Sequence, residues 1–153
     1  MTDFMKRAVE RAKKTMRLDV GGPFGACVVK DGKVISVASN TVLKDKDPTC
    51  HAEMNAIRKA CKKLQTYDLS GCELYATGYP CPMCLSAIIW ANIKTVYYGT
   101  DLKDAENIGF RDDFIYNYIK GKNLQVLSLQ QVKNPDDCKE LFKEYAALKK
   151  TIY

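Results

Sequence analysis

Histidine is nearly absent from this sequence, since His51 is the only one among 153 residues. Structural zinc sites normally use four protein ligands, and this chain has no second imidazole to complete such a set. The chain also lacks any apolar run that approaches the roughly 20 residues of a membrane-spanning helix. Its first residues, MTDFMKRAVERAKK, are charged and amphipathic, without the apolar segment of a secretory signal. These absences predict a cytoplasmic protein without a membrane segment.

Cysteine, in contrast, is frequent, with seven residues at positions 27, 50, 61, 72, 81, 84 and 138. The number is odd, and several of them lie in apolar stretches, where a free thiol behaves as a small buried hydrophobe. Disulfides are rare in a reducing cytoplasm. The closely spaced pair Cys81 and Cys84 therefore indicates a metal site or a redox pair rather than a structural disulfide.

Basic residues exceed acidic residues by six, 24 against 18. The lysine pairs at 13–14, 62–63 and 149–150 fall on separate predicted helices, so no continuous basic surface is indicated. Solvated helix faces explain them more simply than a nucleic-acid interface. A small-molecule substrate is the expected partner.

Apolar periodicity predicts helices alternating with strands. Helical spacing covers 4–16, 51–64, 81–90, 112–122 and 134–150, and strand patterns cover 26–30, 33–40, 72–77, 94–100 and 124–129. The Asp31-Gly32 turn is so short that the first two strands must be antiparallel. This alternation predicts one α/β domain over 1–153, a three-layer α/β/α sandwich around a five-stranded mixed sheet.

Two of the predicted helices have more specific expectations. The segment 81–90 is apolar almost all round and is expected to be buried. The last helix is expected to begin with Asn134 as N-cap and Pro135 at the first helical position, and to end near Lys149 and Lys150. Its apolar stripe predicts that it docks on a core.

The stretches HAE at 51–53 and PCPMC at 80–84 predict a metal site. Two cysteines three positions apart at a helix start lie on one face and can bind one ion. The positive potential of a helix N-terminus favours their thiolate form. With His51 they supply three ligands, which leaves the fourth tetrahedral position of a catalytic zinc open. We therefore predict one Zn²⁺ per chain, held by His51, Cys81 and Cys84.

Glu53 is the candidate catalytic acid and base. In the first turn after His51 it can project over the open metal position and move a proton between water and a leaving group. Two alternatives exist for the cysteine pair, a redox site and a structural zinc site. The structural site would have to recruit Cys50, whose position next to His51 would strain the geometry.

The H-x-E and P-C-x-x-C motifs are those of zinc-dependent nucleobase deaminases. The chain resembles the cytidine deaminase superfamily, and within it the bacterial-type guanine deaminases. The resemblance is carried by GGPFGACVVKDGKVI, DPTCHAEMNAIRKAC, CPMCLSAIIWA and GFRDDFIY. It implies hydrolytic deamination of guanine to xanthine and ammonia. It also implies a homodimer in which the C-terminal segment is exchanged between subunits.

The same resemblance implies a set of purine contacts: Phe24, Asn40, Ala52, Asp112 and Tyr153. An ionised carboxylate only accepts hydrogen bonds, so Asp112 suits the N1–H and 2-amino donors of guanine. Four of these residues also have a structural interpretation: core for Phe24, a strand-end turn for Asn40, a helix N-cap for Asp112 and a frayed end for Tyr153. Arg111 departs from the acidic residue of the family pattern and could pair with Asp112.

Other functions stay open on the sequence alone. A tRNA adenosine deaminase shares the zinc motifs but needs a basic surface around its pocket, whereas DLKDAEN after the fourth strand is acidic. A guanosine or cytosine deaminase differs in pocket room and edge chemistry. A zinc-stabilised RNA-binding module would keep the metal without turnover.

Overall fold

A computed structural model describes residues 2–153, and the chain divides into two compact units, one ending at Tyr116 and the other covering Asn117–Tyr153. The first unit contains one sheet with strands Gly25–Lys30 (β1), Lys33–Ser39 (β2), Cys72–Gly78 (β3) and Thr95–Thr100 (β4). The strand order is β2-β1-β3-β4. β1 is antiparallel to both of its neighbours, whereas β3 and β4 are parallel. The mixed sheet is as predicted.

The predicted fifth strand at 124–129 is wrong. Leu124–Val126 form a short 3₁₀ turn that follows Asn123 in the left-handed region, at φ 55°. Every residue of the segment is exposed, and the sheet of residues 2–153 has four strands. The alternation in LQVLSL satisfies the strand pattern, but a strand also needs a hydrogen-bonded neighbour, which periodicity does not reveal.

The described residues contain seven α-helices: Asp3–Met16 (α1), Val42–Asp45 (α2), Ala52–Leu64 (α3), Pro82–Trp90 (α4), Leu102–Asn107 (α5), Asp113–Ile119 (α6) and Asp136–Ala147 (α7). None of the helices in 2–153 is both long and apolar enough to cross a membrane. α4 is the crossover that a parallel pair requires, here between β3 and β4.

Helices cover both faces of the sheet, so the first unit has the predicted three layers. Successive residues of a strand face opposite sides. Cys27 and Val29 of β1 pack with Ala8 of α1 in one cluster. Ala26 and Val28 belong to the other cluster, which α3 and α4 cover through small and branched side chains: Ala52, Ala56, Ala60 and Ile88.

Small residues let the helices approach the sheet closely. A Cβ atom on Gly25 would lie 2.0 Å from the carbonyl oxygen of Ala8, so only glycine fits where α1 crosses β1. On the opposite face, the alanines of α3 recur every four residues and are fully buried. This close packing fixes the N-terminus of α3, and with it His51, against the sheet.

The expectation that 81–90 is buried is correct for only one face of α4. Cys84 and Ile88 are buried, whereas Trp90 is 73% exposed and Ile89 is similarly exposed. The helix contacts its unit along one side only, so the apolar residues of the other side face outwards. An all-apolar sequence therefore did not imply burial here.

The last helix differs from the prediction at both ends. Pro135 is the N-cap, with non-helical backbone angles, and the helix ends at Ala147, before the two lysines. α7 has no buried residue, and Phe142 is 76% exposed in the single chain. The predicted docking on a core is therefore not present within the second unit.

Candidate active site

The predicted site residues lie in segments next to strand termini at one end of the sheet. Since β1 is antiparallel to β2 and β3, its start lies beside their ends, and the end of β4 lies beside the end of β3. The strand termini at this end of the sheet are Gly25, Ser39, Gly78 and Thr100. The segments that follow or precede these positions carry Phe24, Asn40, Cys81 and Asp112. The strand register thus gathers residues that are far apart in sequence.

The three predicted zinc ligands form one cluster. His51 Nδ1 lies 3.5 Å from Cys81 Sγ and 3.6 Å from Cys84 Sγ, and the three ligand atoms lie within 4.8 Å of one another. Tetrahedral zinc at about 2.3 Å from sulfur and about 2.0 Å from nitrogen separates the two atoms by about 3.5 to 3.6 Å. The residues present therefore fit a zinc ion with three protein ligands.

Local backbone structure explains why these side chains are available. His51 and Cys81 are the N-caps of α3 and α4, both with extended backbone and neither using its side chain as a cap. Pro82 follows at the first helical position, where its missing N–H has no partner to lose. Cys84 is one turn further and is buried. Both helices thus present their ligands at the start of the first turn.

The pKa values of the Cys81 and Cys84 thiols are shifted in opposite directions. The contact with the Cys84 thiol, together with a hydrogen bond to His51 and its charge, lowers the pKa of Cys81 to about 4. The contact with Cys81, followed by burial, raises the pKa of Cys84. The hydrogen bond with Cys81 also raises the pKa of His51. Zinc binds both sulfur atoms as thiolates, so zinc binding must release the proton that the pair holds.

Glu53 lies beside the cluster without belonging to it. Its side chain is 7% exposed, and the Cys84 thiol donates to its Oε2 at 3.5 Å. Burial raises the pKa of this carboxyl. A buried carboxyl group next to a metal site is suited to taking up and releasing protons in that site.

Asn40 is held in one orientation. Its Oδ1 accepts hydrogen bonds from the backbone N–H groups of Gly22 at 3.3 Å and Val42 at 3.1 Å. The side chain is buried, and a Cβ on Gly21 would lie 2.3 Å from both its carbonyl oxygen and its Oδ1. The oxygen is therefore occupied, which leaves the Asn40 amide nitrogen as a hydrogen-bond donor.

Phe24 and Ala52 are placed differently from each other. Phe24 is half-buried, packs against the main core and meets Phe110 edge-on, with ring centroids 5.0 Å apart. Ala52 is fully buried in that core. Its methyl group therefore belongs to the packing, and only its backbone N–H at the start of α3 is suited to contact a ligand.

Asp112 is half-buried near the metal cluster. Burial raises the pKa of its carboxyl, and the negative charge of Cys81 raises it further. The possible pairing with Arg111 does not occur, because Arg111 binds Asp113 at 2.9 and 3.1 Å and contacts Glu106 at 3.7 Å. The Asp112 carbonyl accepts backbone N–H groups of α6, and among residues 2–153 no side chain donates a hydrogen bond to its carboxyl group.

Tyr153 belongs to the second unit, where its side chain is 81% exposed. The residues before it are held on α7, since the Tyr145 hydroxyl donates to the carbonyl of Thr151 at 2.6 Å. The tail therefore has a defined path at its start. Its expected role as a cover for an active site remains a prediction.

The sequence reading missed Asn55, which connects the segments on either side of the site. Its amide nitrogen donates to the Ser39 carbonyl at 3.0 Å and the Thr41 hydroxyl at 2.9 Å. This bridge holds the end of β2, and so Asn40, against the start of α3, and so His51. The sequence does contain one indication of this role, because asparagine is a poor helix former and Asn55 lies inside a predicted helix.

Comparison with known proteins agrees with this geometry. Residues 1–100 match the family model of the cytidine and deoxycytidylate deaminase zinc-binding region. Guanine deaminase from Bacillus subtilis (strain 168) is 52% identical over 116 residues, 76% of this chain and 74% of that protein. The tRNA-specific adenosine deaminase from Aquifex aeolicus (strain VF5) is 46% identical over 95 residues, 62% of each chain.

The X-ray structure of guanine deaminase from Bacillus subtilis matches the whole fold. The TM-score is 0.89 at 41% sequence identity, with 100% of this chain and 99% of that chain covered. The family model covers the residues that form the His51, Cys81 and Cys84 cluster. The chain is therefore a zinc-binding deaminase of the cytidine and deoxycytidylate deaminase family.

Proposed function

We propose that this protein hydrolyses guanine to xanthine and ammonia with one zinc ion per chain. The observation that carries the reaction type is the Glu53 carboxyl next to a three-ligand zinc site, 3.5 Å from Cys84. Guanine is supported by the match of the full chain to a guanine deaminase structure. The tRNA-specific adenosine deaminases match with lower identity, either over about two thirds of the chain at 42 to 46% or over 97% of it at 32%.

The proposed hydrolysis needs activation of water and transfer of a proton to the leaving amino group. When bound, zinc supplies a Lewis acid that activates water at neutral pH. Glu53 takes a proton from the attacking water and delivers it to the departing amino group. A C–O bond forms and the C–N bond breaks at the ring carbon, so that guanine and water give xanthine and ammonia. Burial of Glu53 keeps these transfers away from bulk solvent.

Two polar side chains would orient the base. The free amide nitrogen of Asn40 donates to an acceptor on the purine, and the carboxylate of Asp112 accepts a purine N–H. Phe24 supports one face of the ring, together with its edge-on contact to Phe110. The backbone N–H of Ala52 adds a donor at the start of α3.

Charge around the site also favours a small base over tRNA. The segment after β4 contributes three acidic residues in and before α5, Asp101, Asp104 and Glu106. Phosphate contacts require lysine and arginine instead. Since 101–107 also contains Lys103, its net charge is −2, which does not favour a nearby phosphate backbone.

The second unit is consistent with a homodimer in which residues 117–153 are exchanged between subunits. Apolar side chains of α7 and the tail are exposed in the single chain: Leu141, Phe142, Leu148, Ile152 and Tyr153. Exposed apolar area of this kind marks an interaction surface. In this proposal Tyr153 covers the partner's active site. We place the enzyme in the cytoplasm, since all seven cysteines are free.

An ammonia-release screen tests the proposed function. Purified zinc-loaded protein is offered guanine, guanosine, adenine, cytosine, cytidine and a tRNA anticodon stem-loop, and kcat/KM is measured for each. We expect guanine to give the highest value. A preference for the stem-loop would establish the tRNA function instead, and no turnover of any substrate would favour the RNA-binding module.

A further inference from the structure

The hydroxyl of Tyr116 is buried and has no hydrogen-bond partner. It is the single side-chain nitrogen or oxygen of this kind among residues 2–153. Buried polar atoms are almost always paired, and an unpaired one destabilises the folded chain. Folding of the single chain therefore gives no reason for a hydroxyl at this position. A phenylalanine would fill the same space without that penalty.

Tyr116 lies on the same side of α6 as Asp112. Its backbone N–H donates to the Asp112 carbonyl at 3.3 Å, and residues four positions apart on a helix are neighbours. Burial raises the pKa of Tyr116 to about 12, and the negative charges of Asp112 and Cys81 act in the same direction. The phenol is thus protonated and lies within the field of a zinc ligand.

The two neighbouring groups have complementary hydrogen-bonding capacity. The Asp112 carboxylate is an acceptor without a side-chain partner, because Arg111 binds Asp113 and Glu106. A tyrosine hydroxyl can both donate and accept. Together they can satisfy a ligand group that carries N–H donors.

We propose that Tyr116 is a substrate-binding residue whose hydroxyl hydrogen-bonds the exocyclic amino group of the purine, next to Asp112. The amino group that leaves must lie at the metal cluster. Tyr116 is close enough to that cluster for the charges of Asp112 and Cys81 to act on its hydroxyl. The hydroxyl accepts one amino N–H and donates its own hydrogen to the Asp112 carboxylate. This inference rests on the proposed deamination of guanine and assigns the group that distinguishes guanine from hypoxanthine.

The test compares Tyr116→Phe with wild type on two ligands. Guanine carries the 2-amino group, and hypoxanthine, used as a competitive inhibitor, lacks it. We expect kcat/KM for guanine to fall about tenfold or more, while the Ki of hypoxanthine stays unchanged. The zinc content should stay at one per chain, and the Tm of the free protein should stay equal or rise, because the unpaired hydroxyl is gone.

Tyr118→Phe is the matched control. Tyr118 lies on the same helix two positions further, so it points to a different side, and its kinetics should equal those of wild type. Unchanged guanine kinetics in Tyr116→Phe would overturn the inference. An equal loss of guanine and hypoxanthine would do the same, as would a lower Tm with loss of zinc. Failure of the proposed function is distinct, because wild-type protein itself would then not turn over guanine.

Discussion

Replacing Gly21 with alanine should move Asn40 and reduce activity while leaving the zinc site intact. The added Cβ would lie 2.3 Å from the Asn40 carbonyl oxygen and 2.3 Å from its Oδ1. Carbon and oxygen atoms in contact are normally separated by about 3.3 Å or more. The overlap is therefore about 1 Å, and it falls on a side chain that two backbone N–H groups already hold in place.

A displacement of this size is large for a catalytic site. A misplacement of about 1 Å can cost about a hundredfold in rate, so we expect kcat/KM for guanine to fall by about that factor in Gly21→Ala. Overpacking should lower the free energy of unfolding by about 1–3 kcal/mol. Steady-state kinetics, thermal unfolding and elemental analysis for zinc measure the three quantities.

Gly32→Ala is the control for this substitution. Gly32 lies in the β1–β2 turn at φ 70°, and a Cβ there would meet nothing within 4 Å. The left-handed backbone at Gly32 makes alanine cost about 1 kcal/mol of stability. The substitution does not contact Asn40, so the kcat/KM of Gly32→Ala should match that of wild type. Wild-type kcat/KM in Gly21→Ala would refute the placement of Asn40 in the substrate site.

Four further outcomes are expected. Glu53→Gln should keep one zinc per chain and lose about 10²- to 10⁴-fold in kcat; normal turnover would remove Glu53 from proton transfer. Cys84→Ala should lose both zinc and activity, and full zinc content with normal turnover would contradict the three-ligand site. Deleting 151–153 should lower guanine turnover without changing zinc content, whereas wild-type kinetics would exclude a tail that covers the site. Burial raises the pKa of Cys27 to about 11, so it stays a neutral thiol near pH 8 and should resist alkylation there, in contrast to exposed Cys138; equal labelling of the two would contradict its burial.

The sequence predicted the metal cluster well because the relevant information is local. His51, Cys81 and Cys84 all belong to the first turns of two helices, and helix starts are marked by short motifs. Proline after Cys81 and the spacing of three positions already define the relative orientation of two ligands. Only the meeting of the two helix starts needs the fold, and the strand register provides it.

Features that depend on distant neighbours were not predictable in this way. Asn55 bonds the Ser39 carbonyl, 16 positions earlier, and nothing in HAEMNAI indicates that partner. The segment 124–129 alternates like a strand but has no neighbour to pair with in the sheet of residues 2–153. Trp90 is apolar but exposed. Periodicity describes what a segment could bury, and the surroundings decide whether it does.

Selectivity for guanine follows from Asp112 if the proposed function holds. The reacting carbon of guanine lies between a ring N–H and an unprotonated ring nitrogen. The reacting carbons of adenine and cytosine have an unprotonated nitrogen on one side and a carbon on the other. Only guanine therefore offers a ring N–H donor beside the carbon that is attacked. A partly buried carboxylate near Cys81 accepts that hydrogen and repels the lone pair that the other two bases place there. Guanosine presents the same edge, so Asp112 does not separate guanosine from guanine, and only the side of the pocket that faces the ribose can do so.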